Sequence, residues 1–415
     1  RIWEEFDLLP ALPDHSCADA LPCLRLGGSI DKGEIKMNHK RAIVIVLDSL
    51  GVGALPDAAA FGDEGSCTLG HIWERMPNLH IPHLRSLGIG RLMGKAEDAL
   101  LPGAGYGKMS ERSRGKDTTT GHWEMSGVIL DKPFPTFPNG FPQDFMEKFS
   151  ARVGYPLLGN CVASGTEIIQ RLGQEAVEKC ALIVYTSADS VFQIAAHEGI
   201  VPPAKLYEIC RTAREMLTGD LAVGRVIARP FVGEGAHFVR TANRHDFSLE
   251  PTGTTMLDAI SAAGQEVLAV GKISDIFAGR GITDRFFTHG NNEGEERTLE
   301  LMQRDFEGLL FVNLVDFDML YGHRRDVEGY GHALEYFDET LGKLLPMLRQ
   351  GDLLIVTGDH GCDPTYKGTD HTREYVPLLM MGGAQGNVGV RSTFADLSAT
   401  VCRHLDINWS VGTAV

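Results

Sequence analysis

The chain has 415 residues, 43% hydrophobic and 23% charged, the composition of a globular protein with room for one large domain and a smaller one. Its formal net charge of −16 argues against a nucleic-acid partner, because a phosphate backbone calls for a basic surface. No apolar run approaches the roughly 18–20 residues of a membrane span. The eight cysteines show no CxxC pair or disulfide spacing, so a cytoplasmic protein with reduced thiols and no membrane or obligatory protein partner is expected.

Residues 1–36 carry acidic Glu4, Glu5 and Asp7 and scattered prolines without any clear period. They read as an extension outside the fold, with Met37 as a plausible natural start. After Met37 the pattern changes at once. Ala42–Leu47 is an uninterrupted apolar run rich in β-branched residues, the signature of a strand buried on both faces. Similar runs follow at Leu182–Tyr185, Val223–Ala228, Val267–Val270, Leu309–Val315, Leu353–Val356 and Val376–Met381. Between them lie amphipathic stretches such as Ala333–Leu348, where Leu334, Phe337, Leu341, Leu344, Leu345 and Leu348 form one stripe. This alternation predicts an α/β fold with a mostly parallel sheet.

Three of these strands run into acidic and imidazole groups. The first ends in Asp48, the Leu309–Val315 run in Asp316-Phe317-Asp318 with His323 beyond, and the Leu353–Val356 run in Asp359-His360. Asp370-His371 occupies the next loop. Open α/β sheets bind ligands beyond the carboxyl ends of their strands, so these groups are expected to share one site. A single strand-end Asp is more often a cap or turn former; several acid and His groups at strand ends are not explained that way. Mixed oxygen and imidazole donors suit Mn, Zn or Fe better than Ca.

A nucleophile is offered by Gly115-Lys116-Asp117-Thr118-Thr119-Thr120-Gly121, where a hydroxyl cluster opens a helix. Helix N-termini favour anionic groups, and a threonine hydroxyl needs a base or metal to attack. On these grounds alone the chemistry is phosphoryl transfer at a metal site, with three adjacent threonines in contention.

The string Asp48-Ser49-Leu50-Gly51-Val52-Gly53, the stretch Gly115–Glu124, Asn313–Asp318 through Gly322–Asp326, and Gly368–Glu374 together resemble the phosphopentomutases of the alkaline phosphatase superfamily. The likeness runs from about Met37 to near the C-terminus. It implies a core of alkaline-phosphatase type in two parts, 37–131 and 250–415, with an inserted smaller α/β cap domain at 132–249. It implies interconversion of ribose 1-phosphate and ribose 5-phosphate, and of the deoxy forms, through a phosphothreonine and a pentose bisphosphate. One metal would be held by Asp48, Asp359 and His360, a second by Asp318, His323 and His371, with Thr118 as the phosphorylated residue. The family binds two Mn ions and is activated by a sugar bisphosphate. Ser187, Asp189, Arg225, Arg244 and Lys272 are the expected substrate contacts, with Arg229 a further candidate; arginine suits the phosphate that is not transferred because its planar fork takes two oxygens. Two positions depart from the family pattern: Thr119 stands where Met is frequent, and Cys362 where Asn is common after Asp-His-Gly. A cysteine so near a metal is either a neutral filler or a soft ligand.

Overall fold

Every side chain of Arg41–Leu47 (β1) is buried, as expected of a strand flanked on both edges and covered on both faces. The structure, a computed structural model, describes residues 39–95, 99–187, 189–235 and 237–415; the expected extension at 1–36 lies outside the described residues. After β1 come β2 (Ala104–Met109), β3 (Leu157–Val162), β4 (Leu182–Thr186), β5 (Val191–His197), β6 (Arg225–Glu234), β7 (His237–Arg240) and β8 (His245–Ser248). The chain continues through β9 (Glu266–Val270), β10 (Asp284–Phe286), β11 (Gly308–Leu314), β12 (Leu353–Thr357), β13 (Val376–Met381) and β14 (Gly386–Arg391).

These strands form two sheets. The larger has the order β10-β9-β11-β1-β12-β13-β2-β14. Its strands β10 through β12 are all parallel, and β13 runs against both β12 and β2. The smaller, β3-β4-β5-β6-β7 with β8 also paired to β6, comes wholly from the segment between β2 and β9. This is the mixed α/β architecture expected, with a mostly parallel main sheet.

Alternation along β1 explains how the main sheet is covered. Ile43, Ile45 and Leu47 pack with the helices Thr68–Arg75 and Val327–Leu344, while Ala42, Val44 and Val46 pack with Trp123 and the helices Met256–Ala262 and Ala395–His404. The smaller sheet is treated likewise. Leu182 and Val184 face Gln143–Val153 and Pro203–Met216, and Ile183 and Tyr185 face Gly165–Lys179. At the amino end of β1, buried Arg41 forks onto Asp352 just before β12, with Nη2 2.5 Å from Oδ2 and Nε 3.0 Å from Oδ1. That pair fixes the two strands at the end away from the acidic residues.

Two boundaries differ from expectation. The helix expected at Ala333–Leu348 starts at Val327, because the Asp326 side chain caps it by accepting from the Gly329 N–H, and gives way to a 3₁₀ turn at Leu345–Met347 around Pro346. The Val223–Ala228 run begins its strand only at Arg225, since the Gly224 N–H is turned onto the Ser190 hydroxyl at 3.2 Å.

Glu295 in the helix Asn291–Gln303 is buried against Thr340, whose hydroxyl it accepts at 2.5 Å, and its other oxygen has no partner. Burial pushes its pKa up to about 7. A carboxyl whose folded pKa lies above its unfolded one favours the fold at low pH, and that contribution declines as pH rises from about 4.5 through about 7. Glu295→Gln is therefore expected to gain on the parent by up to about 3 kcal/mol between pH 5 and pH 8. Urea unfolding at the two pH values measures it.

Candidate metal centre

Strand register brings the acidic groups together. Leu47 of β1 lies opposite Leu314 of β11, and Val46 opposite Thr357 of β12, so three adjacent parallel strands end at one level. Asp48 leaves β1 there, Asp359 leaves β12, and Asp318 rides on a π-helical turn, Phe317–Gly322, after β11. Such turns are uncommon and recur at functional sites. Ser49 takes a left-handed φ of 70°, which directs its N–H onto Asp359 Oδ1 at 2.9 Å.

Each carboxylate of the first group has one oxygen held and one open. Asp48 Oδ2 accepts from Asn313 Nδ2 at 2.9 Å, and Asp359 Oδ1 from Ser49. The others, Asp48 Oδ1 and Asp359 Oδ2, are buried with no hydrogen-bond partner among the described residues and lie 3.4 and 3.3 Å from His360 Nε2. Burial alone would strip His360 of its proton, but the facing Asp359 and Asp48 outweigh it and hold its pKa well above the ordinary histidine value. Burial and the charge of Asp359 raise Asp48.

The second group adjoins it. Asp318 Oδ2 is 3.2 Å from His323 Nε2, Asp318 Oδ1 is 3.3 Å from His371 Nε2, and the two imidazole nitrogens are 3.0 Å apart. The ring of His371 stacks on that of His360 at 3.9 Å. His323 Nδ1 is 2.6 Å from the Thr369 carbonyl, leaving Nε2 to face the cluster. Donor atoms of Asp48, Asp359 and His360 fall within one ion's reach, as do those of Asp318, His360 and His371, and those of Asp318, His323 and Cys362. Geometry thus divides the six residues less cleanly than the motifs do, with His360 between the two sets. Buried carboxylate oxygens without a hydrogen-bond donor, facing imidazole nitrogens, are the environment that divalent cations fill. The Cys362 thiol is buried, and burial together with Asp318 pushes its pKa far up.

Thr118 reaches the cluster. It opens the helix Thr118–Met125, and its Oγ1 lies 3.1 Å from His360 Nε2. Of the three threonines, only this hydroxyl bonds a cluster side chain among the described residues. The Thr120 hydroxyl donates to Asp117 Oδ2 at 2.5 Å, while Asp117 Oδ1 caps the helix by accepting from the Thr120 N–H. The helix sits so close to the β12 loop that a Cβ on Gly121 would meet the Asp359 carbonyl oxygen at 2.2 Å.

A family model described as Metalloenzyme superfamily matches residues 40–409. The phosphopentomutase of Acetivibrio thermocellus is 58% identical over 374 residues, covering 89% of this chain and 96% of the relative. That of Desulfitobacterium hafniense is 56% identical over 371 residues, covering 88% and 96%. This chain belongs to the phosphopentomutase family. A solved phosphoglycerate mutase from Leishmania mexicana is also similar, at 11% identity and a TM-score of 0.44 over 91% of this chain and 97% of that one.

Among the described residues, none of the five expected to meet a phosphopentomutase substrate makes a hydrogen bond or ion pair to the cluster. Ser187 and Asp189 share the turn after β4, where the Asp189 N–H donates to Ser187 Oγ at 3.3 Å. Arg225 and Arg244 converge on Asp246 at 3.6 and 2.7 Å. Lys272 stands just before the short helix Ile273–Ile276, which packs against β8, and makes no side-chain capping bond.

Other residues hold the site together that the sequence reading assigned no role. Buried Glu374 accepts from the N–H groups of Thr68 and Gly53 and the hydroxyls of Thr68 and Thr372. It lies so near Gly51 that a Cβ there would meet its oxygen at 2.2 Å. Buried Arg373 donates to Glu111 Oε2 and the Gly115 carbonyl, both at 2.6 Å, and to Asp57. It thereby ties the loop before Thr118 to the loop of His371. Two opposite charges in succession, Arg373-Glu374, close after the Asp370-His371 pair, were the available signal.

Two outcomes are expected. Stripping divalent ions with a chelator lowers the melting temperature, and adding Mn at a hundred times its Kd restores about 2.7 kcal/mol per site, read by calorimetry. Arg373→Met leaves the Glu111 carboxyl and the Gly115 carbonyl buried without their donor, and costs about 3 kcal/mol in urea unfolding.

Proposed function

We propose that the chain interconverts ribose 1-phosphate and ribose 5-phosphate, and their deoxy forms, by passing a phosphoryl group through Thr118. The carrying observation is the Thr118 hydroxyl, 3.1 Å from a buried imidazole of the acid and histidine cluster. Asp48, Asp359 and His360 would hold one ion, and Asp318, His323 and His371 the other. Bound divalent cations would neutralise charge on the transferring group and polarise its oxygens. Mixed oxygen and nitrogen donors suit Mn, Zn or Fe, and the resemblance to the phosphopentomutases favours Mn among them.

In the forward half-reaction the bond from phosphorus to Thr118 Oγ1 breaks as one forms to a hydroxyl of the pentose monophosphate, giving a bisphosphate. The bisphosphate turns over and returns its other phosphate to the same oxygen. An unphosphorylated Thr118 therefore needs a phosphoryl donor that leaves a normal substrate behind, which supports priming by a sugar bisphosphate. Thr118 is fixed for this task by the Asp117 cap and by the Arg373 anchor on Gly115. The amino end of its helix favours the anion that Thr118 becomes.

The segment 132–249 reads as a cap that excludes water from the bisphosphate, since water would divert the group to free phosphate. Ser187 and Asp189 are suited to sugar hydroxyls, and Arg225, Arg244 and Lys272 to the phosphate at rest. A cytoplasmic setting is supported by the free thiols of the six described cysteines.

Thr118→Ala is expected to abolish mutase turnover and phosphoenzyme labelling while two metal ions still bind. A coupled assay for ribose 5-phosphate beside free-phosphate release, with peptide mapping after exposure to ribose 1,5-bisphosphate and Mn, tests it. Label retained in the variant would move the role to Thr119 or Thr120, and dominant phosphate release by the parent would make it a hydrolase.

A further inference from the structure

His122 and Asn313 lie buried at the centre of the site yet belong to neither ligand set. Asn313 is on β11, one residue before that strand ends, and His122 is one turn along the helix from Thr118. Their hydrogen-bond directions follow in sequence from one fixed point. Asn313 presents Nδ2 to Asp48 Oδ2 at 2.9 Å, because a carboxylate oxygen accepts only a donor and the flipped amide would oppose two acceptors. The second hydrogen on Nδ2 is then directed at His122 Nε2, 3.4 Å away. A ring nitrogen that accepts bears no proton, so the His122 proton sits on Nδ1. That nitrogen lies 2.8 Å from the carbonyl oxygen of Thr118 and 3.2 Å from Asp359 Oδ2.

We propose that Asn313 and His122 are positioning residues, a continuous hydrogen-bonded chain from Asp48 to the Thr118 peptide that aligns the first ligand set with the nucleophile. Asn313 occupies one oxygen of Asp48 and so decides which oxygen is left open. His122 holds the peptide of the nucleophile and borders the open oxygen of Asp359. The chain carries no net charge and no proton moves along it; its effect is on the angle and spacing of three groups that must meet. Outer-sphere partners of this kind change metal affinity by about 10–100-fold when removed.

The proposal rests on reading Asp48, Asp359 and His360 as one ligand set, and the test separates the two. Mn binding to the full chain is followed by titration calorimetry and by metal content after equilibrium dialysis, together with kcat and KM. Asn313→Ala and His122→Phe are expected to weaken one of two Mn sites by 10–100-fold, leave the other unchanged, and lower kcat with KM within about two-fold. Asn313→Asp keeps the side-chain shape but sets an acceptor against Asp48, and should lose the same site. His122→Asn restores a donor where Nδ1 stood and should recover part of the affinity. Parental protein with two Mn ions and Asn313→Asp indistinguishable from it would overturn the chain of positioning residues. Equal weakening of both sites would overturn it as well, by making the effect a general loss of structure. Parental protein that takes up a single Mn ion would overturn the ligand set and this proposal together.

Discussion

Like charges cannot be packed into a dry space unless something of opposite sign is among them, and that constraint governs the centre of this protein. Asp48, Asp318 and Asp359 are all buried within a few ångströms of four imidazoles. Each of Asp48 and Asp359 spends one oxygen on a protein donor and keeps the other unpaired. Without a cation the relief available is a proton, and Asp359 and Asp48 accordingly push the His360 pKa well above the ordinary histidine value. The rest of the fold consists largely of arrangements that prevent these groups from moving apart.

Those arrangements come in layers. The sheet sets the level at which Asp48 and Asp359 emerge, because both flanking strands of β1 are parallel to it and in register. Glu374 and Arg373, neighbours in the chain, then fasten in different directions, one to the loop after β1 and to Thr68, the other to the loop before Thr118. Because both are fully buried, their hydrogen bonds are worth more than surface pairs, and losing one partner strands the others. The same loop carries His371, so the nucleophile and the second group of donors share their scaffolding.

Much of this was readable in the sequence, and the reason differs from part to part. β1, β9, β11, β12 and β13 are buried on both faces, and such strands announce themselves as unbroken apolar runs. In the smaller sheet β4 was equally plain. β3 was not, because it is half-buried and interrupted by Gly159 at a register shift. β7 and β8 are short and mostly polar, and their pairing with β6 is a tertiary fact. At the site, Asp and His at strand ends were visible as types in places. His122 and Asn313 were not: one lies in a helix and the other inside a strand, and their role depends on a meeting across 191 residues of chain. The choice among three threonines came from resemblance to the family, whereas the structure shows Thr120 already engaged by Asp117.

Among the described strands, the central strand of the large sheet is also the first in the chain. Its neighbours β11 and β12 begin at Gly308 and Leu353, after the whole smaller sheet has been synthesised. A growing chain therefore leaves the ribosome with this fully buried strand unpaired, while the segment around 157–248 already has its own strands to pair with and its own apolar cores. Contacts that join such distant parts close slowly, and exposed strands of this composition aggregate readily. The inserted segment is expected to gain exchange protection before β1 during refolding, and the protein's yield at high concentration to depend on how long β1 waits.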